Sequence, residues 1–266
     1  MRDFHVHTHF SSDAKPSMEE TVLQAIHMGL QEICFTDHVE FDPAPPWDEE
    51  YLDVAVYARE INRLRGVYGD KLAIGMGAEI GYQPHVVSRM NEFAQSADFD
   101  FIICSLHSVD KLDFHTKKFM KGKTVAEGFQ AYFEAYLKCV KDRPDYDVLG
   151  HFDMLKRYAS HDGKQVFRDN YDLIKTTFKE LIHQGKGIEI NTSGYRYKLD
   201  HTLPTLDFLK LYKELGGEIL TLGSDAHFKD HLADKFDVAA ALAKEAGFSH
   251  YTRFEGRKAY PVRLDF

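Results

Sequence analysis

Three cysteines are all that this 266-residue chain contains. Cys34, Cys104 and Cys139 are an odd number with no close pairing, and the first two fall inside apolar segments. This argues against a disulfide framework or thiolate metal ligands and for buried free thiols. No apolar run is long enough to cross a bilayer, and the opening Met1-Arg2-Asp3-Phe4 has no export-signal pattern, so a cytoplasmic location is expected. Positive charge is also scarce: 33 Lys and Arg against 42 Asp and Glu leave a formal charge of -9. That balance, with no basic groove interleaved with aromatics, argues against nucleic acid as a partner. A small anionic substrate stays open, because bound cations can reverse the field locally. No repeat or low-complexity linker divides the chain, and 44% hydrophobic with 28% charged residues suits one soluble globular domain over residues 1–266.

What the chain does have is a rhythm. Short apolar segments at 4–8, 32–36, 72–80, 99–106, 146–151, 187–191 and 218–222 read as strands. Helical stretches follow them at 16–28, 48–67, 84–95, 125–140, 167–183, 205–215 and 230–246. Strand followed by helix seven times predicts a closed or nearly closed α/β barrel, with a doubly wound open sheet as the alternative. The closing stretch, 251–266, is expected to add a short strand or an ordered tail.

Imidazoles and carboxylates recur at, or just after, the ends of these strands: His5, His7, Asp13, His38, Glu79, His107, His151, Asp225 and His227. Mixed nitrogen and oxygen donors suit borderline divalent metals, and the set exceeds what one tetrahedral site needs. A polynuclear hydrolytic centre is the economical reading. His5 and His7 share one face of a strand, with Phe4 and Val6 on the other. Asp3 and Thr8 are expected to orient the two rings from behind. Asp13 follows the Ser11-Ser12 turn and either folds over the site or caps the next helix. Glu79, between Gly77 and Gly81, is a buried carboxylate that is compensated if its oxygens bridge two cations. His38, His107 and His151 each follow an apolar segment, and Asp225 with His227 forms another same-face pair after Gly223-Ser224. His27, His183 and His250 read as surface or packing residues. His85, His115, His161, His201 and His231 lie outside the strand-end pattern and read as structural or solvent-facing. His9 is closer, a candidate for substrate contact or a supporting role.

His5-Val6-His7-Thr8-His9-Phe10-Ser11-Ser12-Asp13 resembles the first motif of the polymerase and histidinol phosphatase (PHP) superfamily. Thr36-Asp37-His38, Glu79, Leu106-His107-Ser108, Gly150-His151 and Gly223-Ser224-Asp225-Ala226-His227 are similar to its later motifs, in the same order. The resemblance implies a distorted (β/α)7 TIM-like barrel, α/β in class, with a trinuclear metal centre at the C-terminal ends of the strands. It implies that His5, His7, Glu79 and Asp225 hold one ion. Glu79 would bridge to a second, completed by His107 and His151, and Asp13, His38 and His227 would hold the third. Manganese, iron, zinc or cobalt suits such donors.

Asp13 stands where the family often has histidine, a variant seen in histidinol-phosphate phosphatases. That variant, the chain length, Gly81-Tyr82 and Asn191-Thr192-Ser193-Gly194 look like the monofunctional histidinol-phosphatase branch. The implied reaction is hydrolysis of L-histidinol phosphate, a small-molecule phosphate monoester, with a metal-bridging hydroxide attacking phosphorus in line. Alternatives are a related phosphoesterase for phosphotyrosine proteins or nucleotides, a DNA exonuclease, and a non-catalytic metal-stabilised interaction module. The catalytic candidates are Glu79, Asp225, His227 and His9, with the last three, or a metal-bound water, as possible proton donors. Arg157, Arg196 and Ser193 are candidates for gripping the phosphate, and Glu40 or Asp153 for meeting the substrate's amine or imidazole.

Overall fold

The computed structural model describes residues 1–44, 48–49, 51–159 and 163–266. His161, and Pro45, Pro46 and Glu50 from the expected proline-rich loop and helix start, lie outside the described residues. Parallel strands follow one another in chain order around a single sheet. They are β1 (Arg2–Val6), β2 (Glu32–Phe35), β3 (Ala73–Gly81), β4 (Phe101–Ser105), β5 (Val148–Leu149), β6 (Gly187–Asn191) and β7 (Leu220–Gly223). A two-residue strand, His38–Val39, follows β2 and pairs with the upper part of β3, setting His38 beside Glu79.

The sheet closes where its first and last strands meet. The His7 N–H donates to the Ala226 carbonyl at 2.9 Å, and the Ala226 N–H donates to the His5 carbonyl at 3.3 Å. This seam decides for the nearly closed barrel and against the open sheet. Asp3 fastens it: its carboxylate accepts from the Ser224 N–H at 3.0 Å, from the Ser224 hydroxyl, and from the Ala233 N–H at 2.9 Å. The expectation that Asp3 orients the histidine rings is therefore corrected. Its acceptors are spent on the backbone and hydroxyl of the seam.

Eight α-helices are described: α1 (Met18–His27), α2 (Val54–Tyr68), α3 (Val87–Ala94), α4 (Val125–Asp142), α5 (Gly163–Asp169), α6 (Tyr171–His183), α7 (Leu206–Glu214) and α8 (Phe236–Glu245). Capping boxes at Ser17/Glu20 and Thr124/Glu127 start α1 and α4. Three helices depart from expectation. α2 begins at Val54, where the Asp53 side chain accepts the Ala55 and Val56 N–H groups, both at 3.1 Å. The helix expected at 167–183 is two, meeting at Asn170, whose amide donates to the Val166 carbonyl at 2.9 Å. α8 starts late because Ala233 and Lys235 adopt φ of 48° and 59°, left-handed values through which no right-handed helix continues. The C-terminal stretch is a full antiparallel hairpin, β8 (His250–Glu255) and β9 (Lys258–Arg263).

Two apolar layers result. The larger fills the space between strands and helices, and the smaller joins Phe4, Cys34, Phe101, Ile103, Val148 and Phe254. Ile103 is in register with Glu79, so this small cluster lies on the inner face of the sheet, below the polar strand ends. Phe4 was expected on the opposite face from His5. A register irregularity between Asp3 and Val6 brings it inward, as a bulge does. The hairpin plugs the barrel from below: Phe254 lies 4.9 Å from Phe101, centroid to centroid, and the Arg257 Nε donates to Asp147 at 2.5 Å. Access to the interior is thus left to the other end. All three cysteines are buried and free. Among the described residues, no helix is long and apolar enough to cross a membrane.

Candidate metal centre

Above the inner apolar layer, side chains from the strand ends converge on Glu79, which is 1% exposed. Glu79 Oε2 lies 3.2 Å from His5 Nε2, 3.5 Å from His7 Nε2 and 3.0 Å from His38 Nδ1. Its other oxygen, Oε1, is 2.8 Å from His151 Nε2 and 3.4 Å from His107 Nε2. Asp225 Oδ1 stands 3.8 Å from His5 Nε2 and 3.5 Å from His7 Nε2. At the more open side, Asp13 lies 3.8 Å from His38 Nε2 and 3.2 Å from His227 Nε2. All nine residues expected as ligands are thus brought together. His151 and Asp225 do so with φ of 22° and 56°, strained values of the kind that cluster at functional sites.

The rings are held from behind. His5 Nδ1 faces Glu189 at 2.6 Å, His7 Nδ1 faces the Ser11 hydroxyl at 3.2 Å, and His227 Nδ1 faces the Asp225 carbonyl at 3.0 Å. His107 Nδ1 is paired with Glu40. In each case the outer contact leaves Nε2 turned toward the cluster, the arrangement that metal-binding imidazoles adopt. Thr8 works one step further back than expected. Its N–H and hydroxyl donate to Asp37 at 2.6 and 2.9 Å, and Asp37 also accepts from Ser11 at 2.8 Å.

The donor set fits divalent cations on a direct observation. His5 Nε2, His7 Nε2 and Glu79 Oε2 are buried and have no hydrogen-bond partner. Buried polar atoms left this way are costly, and a cation between them satisfies all three. Four overlapping triads, such as His5-Glu79-His151 and His7-His38-His227, have donor atoms within 4.8 Å of one another.

The titration shifts describe the same crowding. Burial would raise Glu79, but His5, His107 and His38 hold its carboxyl well below the usual range. Asp225, also raised by burial, is brought low by His5, His7 and Arg157. Burial would lower His5, yet Glu189, Glu79 and Asp225 push it well above the ordinary imidazole range. His7 goes the other way, because burial is reinforced by His227 and His38. Carboxylates kept ionised in this way suit a divalent cation, which binds the deprotonated forms of such side chains.

Arg157 and Ser193 reach the cluster through Asp225. The Arg157 guanidinium donates to Asp225 Oδ2 at 2.9 Å and to the Ser193 hydroxyl, and its own Nε is buried without a partner. Arg196 approaches the same residue from the backbone, donating to the carbonyls of Ser224 and Asp225, with Nη1 4.0 Å from Asp234 and making no hydrogen bond. His9 does not join them. Its side chain is exposed, and its ring lies beside Phe10 at 4.6 Å. Asp37 accepts from Thr8 and Ser11 on either side, and of the two residues between them His9 faces outward. Asp153 is fully buried against Lys156 at 2.6 Å, which removes it as a substrate contact. Glu40 is engaged by His107.

Glu189 is the residue that sequence reasoning missed. Its signal was an acid at the middle of Gly187-Ile188-Glu189-Ile190-Asn191, where alternation places it inward with Asn191.

Comparison with known proteins gives this geometry a family. The PHP domain matches residues 3–193. The histidinol-phosphatase of Lactococcus lactis subsp. lactis (strain IL1403) is 33% identical over 258 residues, covering 96% of this chain and 95% of its own. A crystal structure of histidinol phosphate phosphatase from the same organism, complexed with zinc, L-histidinol and phosphate, has a TM-score of 0.89 at 32% identity, covering 97% of this chain and 98% of that one. A Listeria monocytogenes chain only 19% identical shares the fold, with a TM-score of 0.80 over 90% of this chain and 99% of its own. With the domain match running over most of its length and a relative this similar along nearly all of it, the chain belongs to the PHP domain family, in its histidinol-phosphatase branch.

Proposed function

We propose that this chain hydrolyses L-histidinol phosphate to L-histidinol and inorganic phosphate at a centre of three divalent cations. The observation that carries the reading is Glu79, whose two oxygens face different sets of unsatisfied or inward-turned imidazole nitrogens. The substrate is inferred from the similar Lactococcus lactis protein, whose crystals hold zinc, L-histidinol and phosphate. His5, His7, Asp225 and Glu79 would hold the first ion. Glu79, with His107 and His151, would hold the second, and Asp13, His38 and His227 would hold the third. Zinc, manganese or iron fits these donors.

When bound, such cations acidify water and neutralise developing charge on phosphoryl oxygens. The chain's own residues supply the rest. Glu79 would be shared between two of the ions, and Asp225 connects the ligand set to Arg157 at 2.9 Å. Arg157, with its spare buried Nε, grips the phosphate beside Ser193, while Arg196 holds the Ser224-Asp225 backbone in place and offers Nη1. The leaving oxygen needs its proton from outside the ligand set, because Asp225 is held ionised beside Arg157 and His227 is committed as a ligand in this reading. Three cations against three carboxylates leave about three positive charges in the immediate shell, enough to attract a phosphate dianion to an acidic protein.

The test is phosphate release by metal-reconstituted protein from L-histidinol phosphate, a phosphotyrosine peptide and a nucleoside monophosphate at matched concentration. At least about a hundredfold higher kcat/KM is expected for L-histidinol phosphate. A preference for either other ester would overturn the substrate. Metal uptake with no turnover on any of them would leave only an interaction module.

A further inference from the structure

Behind the donors sits one more buried carboxylate. Glu189, on β6, is 1% exposed. Its Oε1 meets His5 Nδ1 at 2.6 Å, and its Oε2 accepts the His151 N–H at 2.9 Å and the Asn191 amide at 3.1 Å. His5 and His151 belong to different ion sites in the reading above, on which this inference rests. β6 lies between β5 and β7, and β1 lies beyond β7. Glu189 therefore reaches His151, just after β5, on one side and passes over β7 to His5 on the other.

The barrel is shaped to let it pass. A β-carbon at Gly223, on β7, would stand 2.0 Å from Glu189 Oε1 and 2.5 Å from the His5 Cβ. One at Gly150 would stand 2.5 Å from the Ser105 hydroxyl and 2.7 Å from Ile103 but in ordinary contact, at 3.6 Å, with Glu189 Oε2, so Gly223 is the position that Glu189 itself needs bare. Neither glycine has a positive φ, so the missing side chain, not backbone freedom, is what these positions supply. The His151 N–H that Glu189 accepts also belongs to a residue with φ of 22°, which needs a fixed partner to stay there.

We propose that Glu189 is a positioning residue that couples two ion sites: it fixes the ring of His5 and the backbone of His151 together, so that filling one site organises the other. Glu40 holds a single imidazole, and the Ser11 hydroxyl faces His7 Nδ1 at 3.2 Å and accepts the His38 N–H at 3.0 Å; Glu189 is the buried carboxylate that makes such a double contact, between the sites of His5 and His151.

The experiment is a chelator titration of zinc-loaded protein, with bound metal counted by elemental analysis, on wild type and Glu189→Gln. Glutamine keeps the volume, but its NH2 must face either the His5 ring or the His151 N–H, both donors where Glu189 accepts. At a chelator concentration where wild type keeps its full complement, E189Q is expected to give up about two ions together, an affinity loss of about 10- to 100-fold. The melting temperature of its metal-free form should stay near that of wild type, which a merely structural role would not allow. Loss of one ion with the other kept at wild-type affinity would overturn the coupling, as would unchanged binding of both. If E189Q does not fold, zinc titration of wild type decides: concerted filling of two sites supports the proposal, and independent filling refutes it. Wild type that takes up no zinc would instead remove the metal-centre reading, a different and distinguishable failure.

Discussion

Along β4, Phe101 and Ile103 lie in the apolar layer, and the next inward residue, Ser105, donates to Glu79 at 2.5 Å. The lower and upper levels of the barrel interior are thus built on the same strands, one alternation apart, and obey opposite rules. Below, rings touch rings: Phe4 and Phe254 lie 5.4 and 4.9 Å from Phe101. Above, buried nitrogens and a carboxylate oxygen are left without partners. Burial stabilises the lower level, whereas the unpartnered polar atoms of the upper level cost stability unless cations satisfy them.

Substitutions at the two levels should therefore separate cleanly. The largest effect is expected at the top. Glu79→Ala removes the carboxylate proposed to be shared between ions, and turnover on L-histidinol phosphate should fall by about a thousandfold or more, with bound metal lost in parallel. Normal turnover with full metal content would show that the carboxylate does not bridge. Next is the bottom level. Phe101→Ala should cost about 3–5 kcal/mol in urea unfolding, while the fraction that remains folded keeps its metal and its kcat. If F101A lost metal at unchanged stability, the two levels would not be separate. Smaller again is Arg157→Lys, which keeps the charge but loses the planar fork. About a ten- to hundredfold drop in kcat/KM is expected with metal content intact. An unchanged kcat/KM would place the phosphate grip elsewhere.

The upper level was the more legible of the two in the sequence. Coordination demands particular side chains, and His5, His38, Glu79, His107, His151 and Asp225 stand at strand ends where nothing else calls for them. The barrel was legible for a similar reason, since each apolar segment is followed by a helical one. What escaped notice depends on contacts across the sheet. Glu189 reads as an isolated acid until β7 brings Gly223 beneath it and β1 brings His5 within 2.6 Å. Phe4 broke the alternation rule because a bulge between Asp3 and Val6 carries no mark in the residues themselves. His9 and His7 are two residues apart and look alike. Only the folding of the loop onto Asp37 sends one ring in and the other out. Helix starts at Val54 and Phe236 were missed because a cap and a pair of left-handed residues override helical periodicity.

The number of cations these side chains gather can be read by counting metal ions per chain in wild-type protein saturated with zinc or manganese and then freed of unbound ions. Three per chain are expected, and a lower count would rule out the trinuclear centre.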